Sequence, residues 1–85
     1  PLAEETCTVA ANEGHMDILV WARSKGCEWD EETTTSAAAN GHLEVLKFAI
    51  SHGCPWNEQQ IVQVSDSTGN TNVLDWALEN GFGAL

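Results

Sequence analysis

Gly14-His15-Met16-Asp17-Ile18-Leu19-Val20-Trp21-Ala22-Arg23-Ser24-Lys25-Gly26-Cys27-Glu28-Trp29-Asp30 and Gly41-His42-Leu43-Glu44-Val45-Leu46-Lys47-Phe48-Ala49-Ile50-Ser51-His52-Gly53-Cys54-Pro55-Trp56-Asn57 are two copies of one pattern. Gly, His, Leu, Ala, Ser, Gly, Cys and Trp recur 27 residues apart, from Gly14 to Gly41 and from Trp29 to Trp56. Upstream, Thr6, Thr8, Ala10 and Ala11 map by the same shift onto Thr33, Thr35, Ala37 and Ala38. A third copy follows at a spacing of 28, through Gly69, Leu74, Trp76, Ala77 and Gly81, with its extra residue between Gln60 and Gly69. Units of about 3–29, 30–56 and 57–84 therefore fill almost the whole 85-residue chain, as one domain over 1–85. A fixed period of this length marks a repeat architecture.

Each unit reads as two short helices. Asp30 suits the N-cap of a helix over Glu31–Ala39, with Glu31 and Glu32 in its positive first turn. Asn57 repeats the signal, and Gln60 is placed like the far end of a capping box. Asn40-Gly41 ends the first helix, since glycine tolerates the left-handed C-terminal conformation. The second helix runs from about His42 to His52 and stops at Gly53, with Lys25 and His52 in equivalent last-turn positions. On that helix Glu44, Lys47 and Ser51 form one narrow polar stripe, and Leu43, Val45, Leu46, Phe48, Ala49 and Ile50 cover the rest. Leu46 is expected to be buried between units. The first helix carries Ala37-Ala38-Ala39, whose small side chains let neighbouring helices approach closely. An isolated hairpin leaves such apolar faces uncovered, whereas a stack of hairpins covers them.

Ala10-Ala11-Asn12-Glu13-Gly14-His15-Met16-Asp17-Ile18-Leu19 and Ala37-Ala38-Ala39-Asn40-Gly41-His42-Leu43-Glu44-Val45-Leu46 resemble the helix–turn–helix of the ankyrin repeat. The resemblance covers all three units, strongly in the first two and weakly in the third. It implies an all-α fold, an α-solenoid of three stacked helix-turn-helix repeats. Two departures are visible. Thr33-Thr34-Thr35-Ser36 stands where the family opens its first helix with T-P-L-H, and the period is 27 rather than about 33. The deficit falls in Gly53-Cys54-Pro55-Trp56-Asn57, so the expected link is short, with little or no β-hairpin. The pattern is similar to short-period, Cys-Pro-Trp-containing ankyrin variants in arrays of giant viruses and some microbial eukaryotes.

Composition narrows the function. Thirteen acids against Arg23, Lys25 and Lys47 give a formal net charge of −10. A phosphate-binding or anionic-membrane surface needs clustered bases, so nucleic acid and membrane are set aside as partners. An electrostatically recognised partner is basic, and a merely solubilising acidic surface is the competing reading. No apolar run has the length of a membrane span, and no secretory signal pattern is present. The chain opens at Pro1 rather than Met, which reads as a trimmed or excised piece of something longer. Three cysteines, an odd number without dense spacing, fit reduced thiols of an intracellular, cytoplasmic protein better than a disulfide scaffold.

Several constellations invite chemical readings. Cys27, Cys54, His15, His42 and His52 would supply enough ligands for zinc. Cys27 and Cys54 recur because the repeat recurs, however, as do His15 and His42, and equivalent positions on stacked helices lie about 8–10 Å apart, too far for a disulfide and awkward for one tetrahedral ion. No metal or cofactor is expected, and the thiols read as small buried hydrophobes. His15 and His42 follow turn glycines and read as turn braces, since nothing orders a nucleophile beside them. Asp66, Glu4-Glu5 and Glu31-Glu32 could be acid/base carboxylates, but first-turn acids explain the pairs as well. No catalytic residue is assigned, and the chain is read as a non-enzyme. Trp29 and Trp56 share one slot in the links, a position that usually serves the stack, although an exposed tryptophan can be a binding hot spot. In the third unit Ser65, Asp66, Ser67 and Thr68 replace the alanine run, which fits either a C-terminal cap or a distorting loop insertion.

The resemblance implies a protein–protein interaction module acting as a monomer, with the link and the first helix as its partner surface. On that side the positions that differ between units, or add charge, are Glu28, Asp30, Glu31, Glu32, Thr33, Glu58, Gln59 and Gln60. These are the candidate partner-binding residues, and the expected partner is another protein with a basic surface. The alternative is a structural spacer from a longer repeat array with no binding site of its own.

Overall fold

A computed structural model describes residues 6–82 as six helices: α1 Thr6–Glu13, α2 Met16–Ser24, α3 Glu31–Ala39, α4 Leu43–Ser51, α5 Glu58–Thr68 and α6 Thr71–Glu79. The described residues contain no strand, so the links at residues 26–30 and 53–57 are irregular and the class is all-α. No helix among them is long and apolar enough to cross a membrane. The molecule is elongated, with extents of 41 × 21 × 16 Å. Helices pair as hairpins, α1 with α2, α3 with α4 and α5 with α6, and the first helices pack side by side, α1 on α3 and α3 on α5.

The first helices of the second and third hairpins start on side-chain caps. The Asp30 carboxylate accepts from the Glu32 amide at 3.0 Å, and the Thr33 hydroxyl accepts from the Asp30 amide at 3.4 Å, closing a capping box. At α5 the Asn57 side chain accepts from the Gln60 backbone amide at 3.0 Å. The far end of the box is thus a threonine in α3, and in α5 it is the Gln60 main chain that engages the cap. Helix ends share one backbone device. The amides of His15, His42 and Asn70 bond the carbonyls of Ala10, Ala37 and Ser65, all at 2.9 Å. The amides of Cys27, Cys54 and Phe82 bond Ala22, Ala49 and Ala77 at 3.0, 2.9 and 2.9 Å. Each bond runs from the residue after the left-handed glycine back five residues to a carbonyl in the helix's last turn, and an apolar contact from that residue commonly accompanies it. That explains why a buried cysteine recurs there and why Phe82 can replace it.

The core runs through all three hairpins. Leu19, Val45, Leu46, Ile61, Val73 and small residues of the first helices form one buried cluster, with Phe48, Trp29 and Trp76 packed against it. Leu46 is fully buried, and Glu44, Lys47 and Ser51 face water as their spacing predicts. The extra residue of the third unit is taken up by the first helix, α5 having 11 residues where α3 has 9. A loop insertion is therefore not what distinguishes that unit.

Hydrogen bonds between hairpins repeat with the sequence. His42 Nε2–H donates to the Asn12 carbonyl at 3.1 Å, and Asn70 Nδ2–H donates to the Ala39 carbonyl at 2.8 Å. Both donors follow a turn glycine, and both acceptors sit at the end of the preceding hairpin's first helix. The approach is close: a Cβ on Gly14 would fall 2.7 Å from the His42 ring, and one on Gly41 2.6 Å from Asn70 Oδ1.

Candidate interaction surface

The link residues 27–30 cross from α2 to the N-terminus of α3, and the next link makes the same crossing one unit along. The two links touch: Cys54 Sγ–H points to the Asp30 carbonyl at 3.3 Å, and Thr34 Oγ1–H donates to the Pro55 carbonyl at 3.0 Å. Thr8 and Thr33 hydroxyls meet at 3.2 Å beneath the first link. Each acidic helix start is thereby held next to its neighbour.

Seven of the eight candidate residues lie on the surface: Glu28, Asp30, Glu31, Glu32, Glu58, Gln59 and Gln60 are exposed. Thr33 is not. It is fully buried, its hydroxyl committed to Asp30 and Thr8, and it belongs to the scaffold rather than to a contact surface. The residue lies on the helix face turned toward α1, a direction set by the capping box.

Two shallow depressions recur one unit apart. The first, about 410 Å³, is lined by Thr8, Arg23, Glu28, Trp29 and Asp30. The second, about 390 Å³, is lined by Trp56, Asn57, Glu58 and Gln59. In the first, the Arg23 guanidinium lies 4.2 Å over the Trp29 ring and donates to the Cys27 carbonyl. Sequence reasoning missed Arg23, because its equivalents Ile50 and Leu78 are apolar and only the fold brings it across to Trp29. The acidic edge therefore contains a cation, Arg23, placed over an aromatic ring.

The tryptophans pack and also show. Half-buried Trp29 meets Phe48 of the following hairpin edge-on, with ring centres 6.1 Å apart. Trp56 stacks on Phe82 at 4.6 Å, and Phe82 meets Trp76 edge-on at 5.2 Å. One face of Trp56 remains open beside Glu58, so the ring serves the packing and borders the surface at once.

The other chemically suggestive residues are occupied by structure. All three cysteines are buried thiols. Burial, reinforced by the neighbouring Cys27, pushes the Cys7 thiol up to about 12, and burial with the nearby Asp30 charge does the same for Cys54. Such thiols are poor nucleophiles near neutral pH. His15 pairs with Glu13 at 3.2 Å, and His42 braces the Asn12 carbonyl. Asp66 is exposed at the end of the molecule. Among the described residues, no three His, Cys, Asp or Glu side chains converge as metal ligands. No family model, curated protein or solved structure matches the chain.

Proposed function

We propose that the chain is an ankyrin-like α-solenoid of three repeats and serves as a non-enzymatic, monomeric protein-interaction module in the cytoplasm, binding a basic protein along its link edge. The observation that carries this reading is the side-by-side placement of the two acidic links. Glu28, Asp30, Glu31 and Glu32 stand exposed on one link and first turn, and Glu58 stands on the next. Their fields add over one edge, while Lys47 lies on a second helix. Trp56, open on one face, supplies an aromatic contact of the kind that anchors interfaces. Three buried thiols support an intracellular site, and a net charge of −10 argues against nucleic acid.

The test is selection of binders from a random peptide display library on the immobilised chain. Selected peptides carry excess Lys and Arg. Their association slows as salt shortens the screening length from about 10 Å at 0.1 M toward about 3 Å at 1 M. A Glu31→Gln, Glu32→Gln variant associates more slowly than wild type at low salt. Binders of neutral composition, or rates indifferent to salt and to the variant, would reduce the acidic edge to a solvated surface. Failure to select any binder would favour the spacer reading.

A further inference from the structure

Burial at equivalent positions changes systematically along the molecule. Ile18 is 43% exposed, whereas its equivalents Val45 and Val73 are 2% and 0% exposed. Trp21 is 51% exposed, but Phe48 and Trp76 are half-buried; Val9 is 50% exposed, but Ser36 and Val64 are half-buried. In each set the first hairpin is the open one. The second and third hairpins have a hairpin ahead of them, and its contacts are identifiable: Trp29 lies edge-on to Phe48, and α1 and α3 pack on the helices that follow. The hydrogen bonding changes in step. His42 and Asn70 reach back to a helix-end carbonyl, but the equivalent His15 turns to its own Glu13.

The opposite end is built differently. Where Thr8 and Thr35 are half-buried, the third hairpin has exposed Gln63; where Ala11 and Ala38 are buried, it has exposed Asp66. Thr71 replaces half-buried Met16 and Leu43. Leu78, 55% exposed, is the apolar exception. One end thus presents polar side chains to water, and the other presents apolar ones shaped like an internal interface.

We propose that the face formed by Val9, His15, Ile18 and Trp21 is a docking surface for one further helical hairpin of the same repeat class, stacked in the same polypeptide. That hairpin covers Trp21 with an apolar side chain of its link, as Trp29 covers Phe48, and offers a carbonyl near the end of its first helix to His15, as Asn12 does to His42. A second copy of the chain is a poorer occupant, because its far face carries Gln63, Asp66 and Thr71 where the internal interfaces present small or apolar groups. The proposal rests on the stacked-repeat reading and is independent of the acidic edge.

The experiment extends the chain by placing a copy of residues 30–56 in register ahead of Ala3, and compares amide hydrogen exchange of residues 6–24 with and without the addition. Protection of α1 and α2 rises by roughly tenfold or more, the scale of covering one large apolar side chain. Trp21→Ala shifts the melting temperature little in the original chain and abolishes most of the added protection in the extended one. Unchanged exchange, or an equal effect of Trp21→Ala in both chains, overturns the proposal. So does concentration-dependent dimerisation of the 85-residue chain that Trp21→Ala abolishes, since a second copy is then the occupant. Failure of the stack itself is read separately, from the coupling between Gly41 and Asn70.

Discussion

Gly41→Ala and Gly53→Ala put the same methyl group on the same kind of turn, yet their costs should differ because only one faces another hairpin. Both glycines have left-handed backbone, φ +74° and +86°. An L side chain there costs about 1–2 kcal/mol in either place. Around Gly53 a Cβ meets nothing within 4 Å, so the backbone term is the whole effect. At Gly41 the Cβ would lie 2.6 Å from Asn70 Oδ1 and 3.0 Å from its Cγ, which forces the asparagine out of place. Asn70 then loses its bonds to the Ala39 carbonyl and to Thr68 Oγ1, at 2.8 and 2.7 Å. At about 0.5–1.5 kcal/mol net each, this adds about 1–3 kcal/mol. The expected losses are about 1–2 kcal/mol for Gly53→Ala and about 2–5 for Gly41→Ala, measured by urea denaturation. Asn70→Ala makes room for the methyl group, so the Gly41→Ala, Asn70→Ala pair should cost at least about 1 kcal/mol less than the sum of the singles. Equal losses at the two glycines, with strict additivity at Gly41 and Asn70, would refute contact between these turns.

Other outcomes follow from the core and the thiols. Leu46→Ala, which empties a fully buried position in the shared cluster, should cost about 2–5 kcal/mol in urea denaturation. The Cys7 and Cys54 thiols sit near 12 when folded against an ordinary 9.0, so the folded state holds protons that the unfolded chain releases. Their contribution is intact below pH 9 and is lost as pH climbs from 9 toward 12. The chain has no tyrosine to titrate in that window, so a urea midpoint falling between pH 9 and 11, and flattened in Cys7→Ala, Cys54→Ala, checks the assignment. A thiol reagent at neutral pH should modify Cys7 and Cys54 only at the rate of unfolding. Chelator and reductant should both leave the melting temperature unchanged; a large drop with chelator alone would revive a Cys/His metal site.

The period and the helix limits were legible because they rest on local chemistry. Asp30 and Asn57 announce helix starts through side-chain oxygens, and the glycines after Asn40 and His52 end helices through backbone conformation. Leu46 and the Glu44–Lys47–Ser51 stripe followed from helical spacing alone. What escaped depends on distance in the chain. Thr33 looked like a surface residue until α1 and the Asp30 cap claimed its hydroxyl from two sides. Arg23 reaches Trp29 across the end of α2, a pairing absent from the other units and so invisible to comparison between them. The cysteine slot looked like possible ligand chemistry, but its recurrence belongs to a helix-ending bond that any suitable apolar side chain can cover, as Phe82 does.

The most direct test of the proposed role is a residue-resolved map of the bound surface. A ¹H–¹⁵N spectrum of the chain is recorded while a selected Lys/Arg-rich peptide is added. Shift changes should concentrate in residues 28–32 and 55–60, with the Trp56 indole among them, and should shrink as salt is raised. Changes centred instead on the opposite turns, at Gly14, Gly41, His42 and Asn72, would contradict the assignment of the link edge as the partner surface.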